Sequence, residues 1–180
     1  FQNVRAENGR VFFPGFESDI ARANINSRIA ERILLICGQF QAPTFDALFE
    51  GVKALPWEDF IPSDGAFPVK GHSLNSALHS IPDCQRIIKK AIADRLASHY
   101  KISWLPETGP KYQVQFSIMK DNALICLDTS GAGLHKRGYR LEQNAAPLRE
   151  TLAAAMVKLS RYKGRGGCFD VFCGSGTLPI

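Results

Sequence analysis

No stretch of this 180-residue chain approaches the ~18–20 consecutive apolar residues of a membrane-spanning helix, so no membrane partner of that kind is expected. Phe1 to Arg10 is polar and charged and has no secretory leader pattern. There is no Cys-x-x-Cys pair. Cys37, Cys84, Cys126, Cys168 and Cys173 are scattered and odd in number, which points to free thiols in a reducing, cytoplasmic compartment. The paired spacing of a zinc site is missing too, so Cys168, Cys173 and a distant His are not read as ligands, and no metal is expected. Internal repeats and low-complexity tracts are absent. Most of the chain also lacks an excess charge of either sign. Residues 1–128 hold 14 Lys+Arg against 14 Asp+Glu, whereas 129–180 hold eight against three, so the whole net charge of +5 lies in the last third. A basic surface there suits a polyanion, although solubility alone would also account for +5.

What is present is a globular composition, 45% hydrophobic and 22% charged, enough for one sizeable core or two small ones. The chain begins at Phe1 without Met and stops at Ile180 where a helix should be starting, and is read as a piece of a longer protein. Its rhythm is α/β in the α+β sense. Val11 to Phe13 predicts a strand ended by Pro14-Gly15, and Ser18 is the candidate N-cap of a helix to about Asn26. The apolar run Ile33 to Cys37 predicts a buried strand. Pro43-Thr44 opens a helix with Phe45, Leu48, Phe49 and Val52 on one face. A long proline-rich connection from Leu55 to Gly71 includes a short strand at Phe67 to Val69. Ser80 to Asp83 then predicts a capping box for a helix carrying Ile81, Cys84, Ile88, Ala91, Ile92 and Leu96 on one side. Its cations Arg86, Lys89 and Lys90 are read as a solvated face. Tyr112, Val114, Phe116 and Ile118 alternate with polar residues as a half-buried strand, and Lys120 to Asn122 turns it into a hairpin with Ala123 to Leu127. Pro147 opens a last helix with a stripe of Leu148, Leu152, Ala155, Met156 and Leu159. Arg161 to Gly167 is a basic connector.

Two stretches carry chemistry. In the first, Gly131, Gly133 and Gly138 surround Leu134-His135-Lys136-Arg137, followed by Tyr139-Arg140. Cations beside an aromatic ring suit phosphates and bases. His135 has no evident carboxylate or nucleophile near it in sequence and is read as RNA-facing or packing. In the second, Cys168, Phe169, Val171 and Phe172 predict a buried strand running into Cys173-Gly174-Ser175-Gly176-Thr177, with a helix starting near Thr177. Gly174 and Gly176 tolerate positive φ and let backbone N–H groups approach a ligand at that helix start. A P-loop fails because no Lys follows Gly176, a nucleophile elbow fails at Cys173 and Thr177, and a dinucleotide fingerprint fails at Pro179. The stretch Asp170 to Thr177 resembles motif I of the S-adenosylmethionine (SAM) methyltransferases, in the Asp-Pro-Phe-Cys-Gly-Ser-Gly-Thr form of the amino-group methylases. Val171 stands where that form has Pro.

Ser80 to Arg86, Leu127 to Arg140, Ala146 to Ala155 and Asp170 to Thr177 occur in one order that resembles the bacterial THUMP-domain-containing 23S rRNA guanine-N2 methyltransferases, often labelled N6-adenine-specific DNA methylases. The resemblance covers essentially the whole chain. It implies a partial ferredoxin-like region over 1–40, a THUMP RNA-binding domain over 41–132, and the linker and first elements of a Rossmann-like methyltransferase domain over 133–180. It places Asp170, Phe172, Cys173, Gly174, Ser175, Gly176 and Thr177 around SAM, with Pro147 at the helix start beside them. Lys136, Arg137, Tyr139 and Arg140 become a linker that meets RNA or braces the two domains. The family's catalytic Asn/Asp-Pro-Pro-aromatic motif, which holds the target amine, is expected beyond Ile180, as is the acidic residue that holds the SAM ribose. This piece alone is therefore expected not to catalyse. Two other readings are a stand-alone RNA-binding module and an N6-adenine DNA methylase.

Overall fold

A computed structural model describes residues 1–7, 9–138, 148–174 and 176–178. They divide into two units, one of Leu34–Asp128 and one of the flanking segments Phe1–Ile33 and Thr129–Ile180. The sequence boundary at residue 40 falls inside a strand that belongs wholly to the first of these.

In the Leu34–Asp128 unit the chain runs β3 (Leu34–Gln41), α2 (Phe45–Lys53), a 3-10 turn (Trp57–Asp59), β4 (Val69–Leu74), α3 (Ile81–Tyr100), β5 (Val114–Met119) and β6 (Asn122–Asp128). The sheet order is β3-β6-β5-β4, antiparallel except for the parallel β4/β5 pair, and α3 lies in the long connection that a parallel pair needs. The expected hairpin forms. Lys120 and Asp121 both take positive φ, 50° and 60°, the two-residue geometry whose twist matches that of its strands, and Met119 faces Asn122 across it. Inward residues of the central strands, Val114, Phe116, Ile118, Ala123 and Ile125, share one buried cluster with Leu48 and Val52 of α2 and with Cys84, Ile88, Ala91, Ile92 and Leu96 of α3. Of the other positions that the periodicity selects, Phe49 packs half-buried against this cluster, while Phe45 and Ile81, at the first residue of their helices, are exposed. Buried Trp57 donates its indole N–H to the Val52 carbonyl at 2.8 Å, so the large ring enters the core with its one polar atom paired.

Local chemistry moves several boundaries. The Ile33–Cys37 run becomes β3, which continues to Gln41 through a bulge between Ile36 and Gly38. The strand expected at Phe67 starts instead at Val69, because Pro68 has no N–H to give. Its carbonyl still accepts from Val114 N at 2.9 Å and from the Gln113 amide at 2.8 Å. Thr44 caps α2, its hydroxyl accepting from Ala47 N at 3.2 Å. The capping box expected at α3 does not form. Pro82 offers no N–H, and the Ser80 hydroxyl donates to the Asp83 carboxylate, which also takes Arg86.

In the other unit, β1 (Arg5–Glu7) pairs antiparallel with β2 (Arg10–Phe12), and α1 spans Glu17–Asn26. The N-cap is Phe16 rather than Ser18; Asp19 accepts from Phe16 N at 3.0 Å. Helix α4 covers Glu150–Leu159, later than the start expected at Pro147, which with 139–146 lies outside the described residues. The strand expected over 168–172 is absent. Phe169, Val171 and Phe172 are 91%, 83% and 93% exposed, and the described residues supply no partner strand for them. An apolar run of this kind is stable as a parallel strand only between neighbours that cover both faces. Nor is there a helix over 176–178, which are in a turn.

Candidate functional site

The SAM-motif stretch forms a tight loop despite lacking the strand before it. The Asp170 carboxylate accepts from Phe172 N at 3.1 Å, and Gly176 N donates to the Cys173 carbonyl at 2.7 Å. Gly174 and Gly176 have φ of +52° and +71°, conformations in which a side chain is strained. Among the described residues a Cβ on Gly174 would meet only the Phe172 carbonyl, at 3.9 Å. Cys173 is exposed and Thr177 is buried; Ser175 lies outside the described residues. A loop with two left-handed glycines fits the tail of a cofactor such as SAM.

The basic stretch divides on inspection. Lys136 is exposed, its backbone N–H closing a turn onto the Gly133 carbonyl at 2.8 Å. Arg137 is hydrogen-bonded to protein within its own unit. Its guanidinium donates to the carbonyls of Asn24 at 2.7 Å, Ile25 at 3.2 Å and Ser27, the last turn of α1 and its cap. Carbonyls at a helix C-terminus carry partial negative charge and lack partners within the helix, which suits a guanidinium. Tyr139 and Arg140 lie outside the described residues.

The sequence reading missed Glu31. Its carboxylate stands 2.7 Å from His135 Nδ1, accepts from the Thr151 hydroxyl at 3.1 Å and lies 3.3 Å from the Arg149 guanidinium, while its carbonyl accepts from Leu134 N at 2.9 Å. One acidic residue thus ties the 134–135 turn and the first turn of α4 to the N-terminal segment. Gly133 makes room for it, since a Cβ there would come within 2.7 Å of the His135 ring. Nothing local marks Glu31, which is 118 residues from Arg149.

On α3 three cations are answered by acids of their own unit, while Lys90 lies 6.0 Å from the Phe49 ring centroid. Lys89 bonds Glu107 at 2.9 Å, Arg86 pairs with Asp83, and Arg95 forks onto Glu58. That pattern is a solvated, internally neutralised face. Among the described residues no group of His, Cys, Asp or Glu could hold a metal ion, and no helix is long and apolar enough to cross a membrane.

Family models match three successive parts of the chain: an RlmL ferredoxin-like domain over residues 1–34, a THUMP domain over 42–128 and an RMKL-like methyltransferase domain over 137–180. Among curated relatives, "Putative RNA methyltransferase YpsC" of Bacillus subtilis is 51% identical over 98% of this chain and 46% of its own length. A ribosomal RNA large subunit methyltransferase K/L of Pseudomonas putida is 36% identical over 86% of this chain and 22% of its own. The chain therefore spans at most about half the length of these relatives. Two crystal structures superpose on it closely. One, described as "a predicted N6-adenine-specific DNA methylase" from Listeria monocytogenes, is 52% identical with a TM-score of 0.90, covering 98% of this chain and 47% of that one. The other, SMU.472, "a putative methyltransferase complexed with SAH", is 43% identical with a TM-score of 0.88, covering 97% and 47%. The chain belongs to the THUMP-domain-containing methyltransferases and matches their N-terminal portion.

Proposed function

We propose that the protein containing this chain is a SAM-dependent methyltransferase of the cytoplasm that modifies guanine N2 in 23S rRNA. In this reading residues 41–132 bind RNA and 133–180 begin the catalytic domain. The observation that carries the cofactor reading is the pair of left-handed glycines, 174 and 176, in one loop, supported by the SAH held by SMU.472. Asp170, Phe172, Cys173, Gly174, Ser175, Gly176 and Thr177, together with Pro147, would line the cofactor. SAM, when bound, supplies a methyl on a sulfonium that an exocyclic amine can attack. The protein's task is to align donor and amine in line and to keep competing water out. This chain's share is to hold the donor and present RNA. The amine-holding motif belongs to the remainder of the protein. Lys136, Tyr139 and Arg140 would meet RNA phosphates and bases, with Arg137 behind them.

The names of the relatives favour RNA in YpsC and the K/L enzymes and DNA in the Listeria protein. Transfer of labelled methyl by the full-length protein to 23S rRNA, with duplex DNA in parallel, separates the two. Label appearing in N2-methylguanine of rRNA is expected; label in N6-methyladenine of DNA would replace the RNA reading. Gly176→Val in the full-length protein is expected to abolish SAH binding by calorimetry while circular dichroism stays unchanged. Undiminished SAH affinity would take the Asp170–Thr177 loop out of the site.

A further inference from the structure

We infer that Trp104 is a stacking platform for an unstacked base of single-stranded RNA, presented by the Leu34–Asp128 unit on a pinned loop that begins and ends with uncompensated lysines. The inference rests on the reading above, in which residues 41–132 bind RNA.

The chain holds two tryptophans, and they are placed in opposite ways. Trp57 is fully buried with its indole N–H paired, whereas Trp104 is 78% exposed. An indole left in water forfeits one of the larger hydrophobic gains that a single side chain can make. A loose loop would let such a ring fold back onto the core, but this one is tied down on both sides of it. The loop covers 101–113, from the end of α3 to the start of β5. Before the ring, Lys101 caps α3 with φ of 56°, and Ile102 N donates to the Ala97 carbonyl at 3.1 Å. After it, Leu105 packs against the core cluster and Glu107 bonds Lys89 at 2.9 Å. Gly109 N then donates to the Asp64 carbonyl at 2.8 Å, and Ala66 N to the Pro110 carbonyl at 2.9 Å. A Cβ on Gly109 would come within 2.5 Å of the Asp64 carboxylate, so the loop lies directly on the 64–66 segment. A ring held out by so anchored a backbone is already ordered for a ligand and loses little freedom on binding.

The charge of the loop selects the occupant. Residues 101–113 carry two cations, Lys101 and Lys111, and one acid, Glu107. Glu107 is taken by Lys89 of α3, while Lys101 and Lys111 are exposed and pair with no acid among the described residues. An apolar protein surface would cover the indole and leave both ammonium groups unanswered. Single-stranded RNA supplies both complements in one polymer, a π-face for the indole and phosphates for the lysines. Inside a duplex each base face is covered by its neighbours, so the ring takes a base from a loop, bulge or end. Every base has such a face, and the platform therefore adds affinity and holds the strand without choosing its sequence.

The test uses the full-length protein with a 23S rRNA transcript, an oligocytidylate of about ten nucleotides and an abasic ribose-phosphate oligomer of the same length. Trp104→Ala should weaken binding of both base-bearing probes by at least about fivefold and leave the abasic oligomer within about twofold. Trp104→Phe should keep most of the affinity, whereas Trp104→Leu, apolar but without a π-face, should behave as the alanine variant. That pair decides the matter if alanine unsettles the loop. None of these variants should change the slope of log K against log salt, because stacking releases no counterions. Neutralising Lys101 and Lys111 should flatten it by about 0.7 for each that reaches a phosphate. The fluorescence that Trp104→Phe removes should be open to acrylamide quenching in the free protein and protected once the oligocytidylate is added. Equal affinity of wild type and Trp104→Ala for the base-bearing probes would overturn the inference. So would an equal loss on the abasic oligomer, or an indole already shielded from acrylamide in the free protein, which would give Trp104 to a protein contact. A wild type that binds neither the transcript nor the oligocytidylate would instead sink the RNA reading of 41–132, and the inference with it.

Discussion

At the scale of single residues, an electrostatic coupling joins the 3-10 turn to α3. Hydrogen bonds from Arg95 hold the Glu58 carboxyl down at about 2 from its ordinary 4.5, and His99 Nδ1 lies 3.7 Å away. Because the folded pKa is the lower one, this contribution is fully present above the unfolded value and is lost as pH falls from about 4.5 toward 2. Glu58→Gln should therefore flatten the acid limb of stability in that window. At neutral pH it should cost about 1.5 kcal/mol by urea denaturation, the low end for a hydrogen bond to a charged group, since Arg95 is 35% exposed. An acid limb equally steep in variant and wild type would contradict the assignment. The thiols make a second residue-scale prediction. Burial, reinforced by Cys126, pushes Cys37 up to about 12, and Cys84 and Cys126 are buried, whereas Cys168 and Cys173 are exposed. A thiol-disulfide reagent at pH 8 should label two cysteines of the 180-residue chain quickly and the other three only on unfolding. Rapid labelling of a third would mean that the β3 bulge opens.

Among the elements, two glycines set how closely neighbours approach. A Cβ on Gly51 of α2 would run into the Phe40 ring of β3, and one on Gly71 of β4 into the Phe116 carbonyl and ring of β5. A ring can swing aside, but a carbonyl in a sheet cannot. Gly71→Ala should destabilise toward the upper end of the ~1–3 kcal/mol typical of overpacking and Gly51→Ala toward the lower end, as thermal melts would show. The reverse order would mean that β4 shifts along β5. These close approaches also mark how far the sequence could be read. Helices α2 and α3 and the β5/β6 hairpin were legible because their signals are local: apolar spacing, and a turn between two alternating runs. Strand β1 was not, since Arg5-Ala6-Glu7 is exposed throughout and shows no alternation. The run 168–172 misled for the opposite reason, because its apolar character asks for burial without naming a partner. Within the candidate site the glycines at 174 and 176 were readable from residue type alone. Glu31 was invisible, because its partners His135, Thr151 and Arg149 lie more than 100 residues along the chain.

For the whole molecule, the question is where the five excess charges act. Of the cations in 129–180, Arg137 is bonded to α1 carbonyls and Arg149 pairs with Glu31, while Lys136, Lys158, Arg161, Lys163 and Arg165 are exposed. Residue type alone made Arg137 equivalent to Lys136; the structure gives it a different job. The two should therefore separate in a salt titration of RNA binding by the full-length protein. Each single-strand phosphate that a cation no longer neutralises flattens the slope of log K against log salt by about 0.7. Neutralising Lys136 should flatten it by that amount, and neutralising Lys158, Arg161, Lys163 and Arg165 together by up to about 3 if all four reach phosphate. Arg137→Ala should leave the slope where it was and lower the melting temperature instead, because three carbonyls at the end of α1 lose their donor. If Arg137→Ala flattens the slope at unchanged stability, the guanidinium leaves those carbonyls for phosphate when RNA arrives. If neutralising the 158–165 cations leaves the slope untouched, the basic excess serves solubility, and the RNA-binding surface must lie elsewhere in the protein.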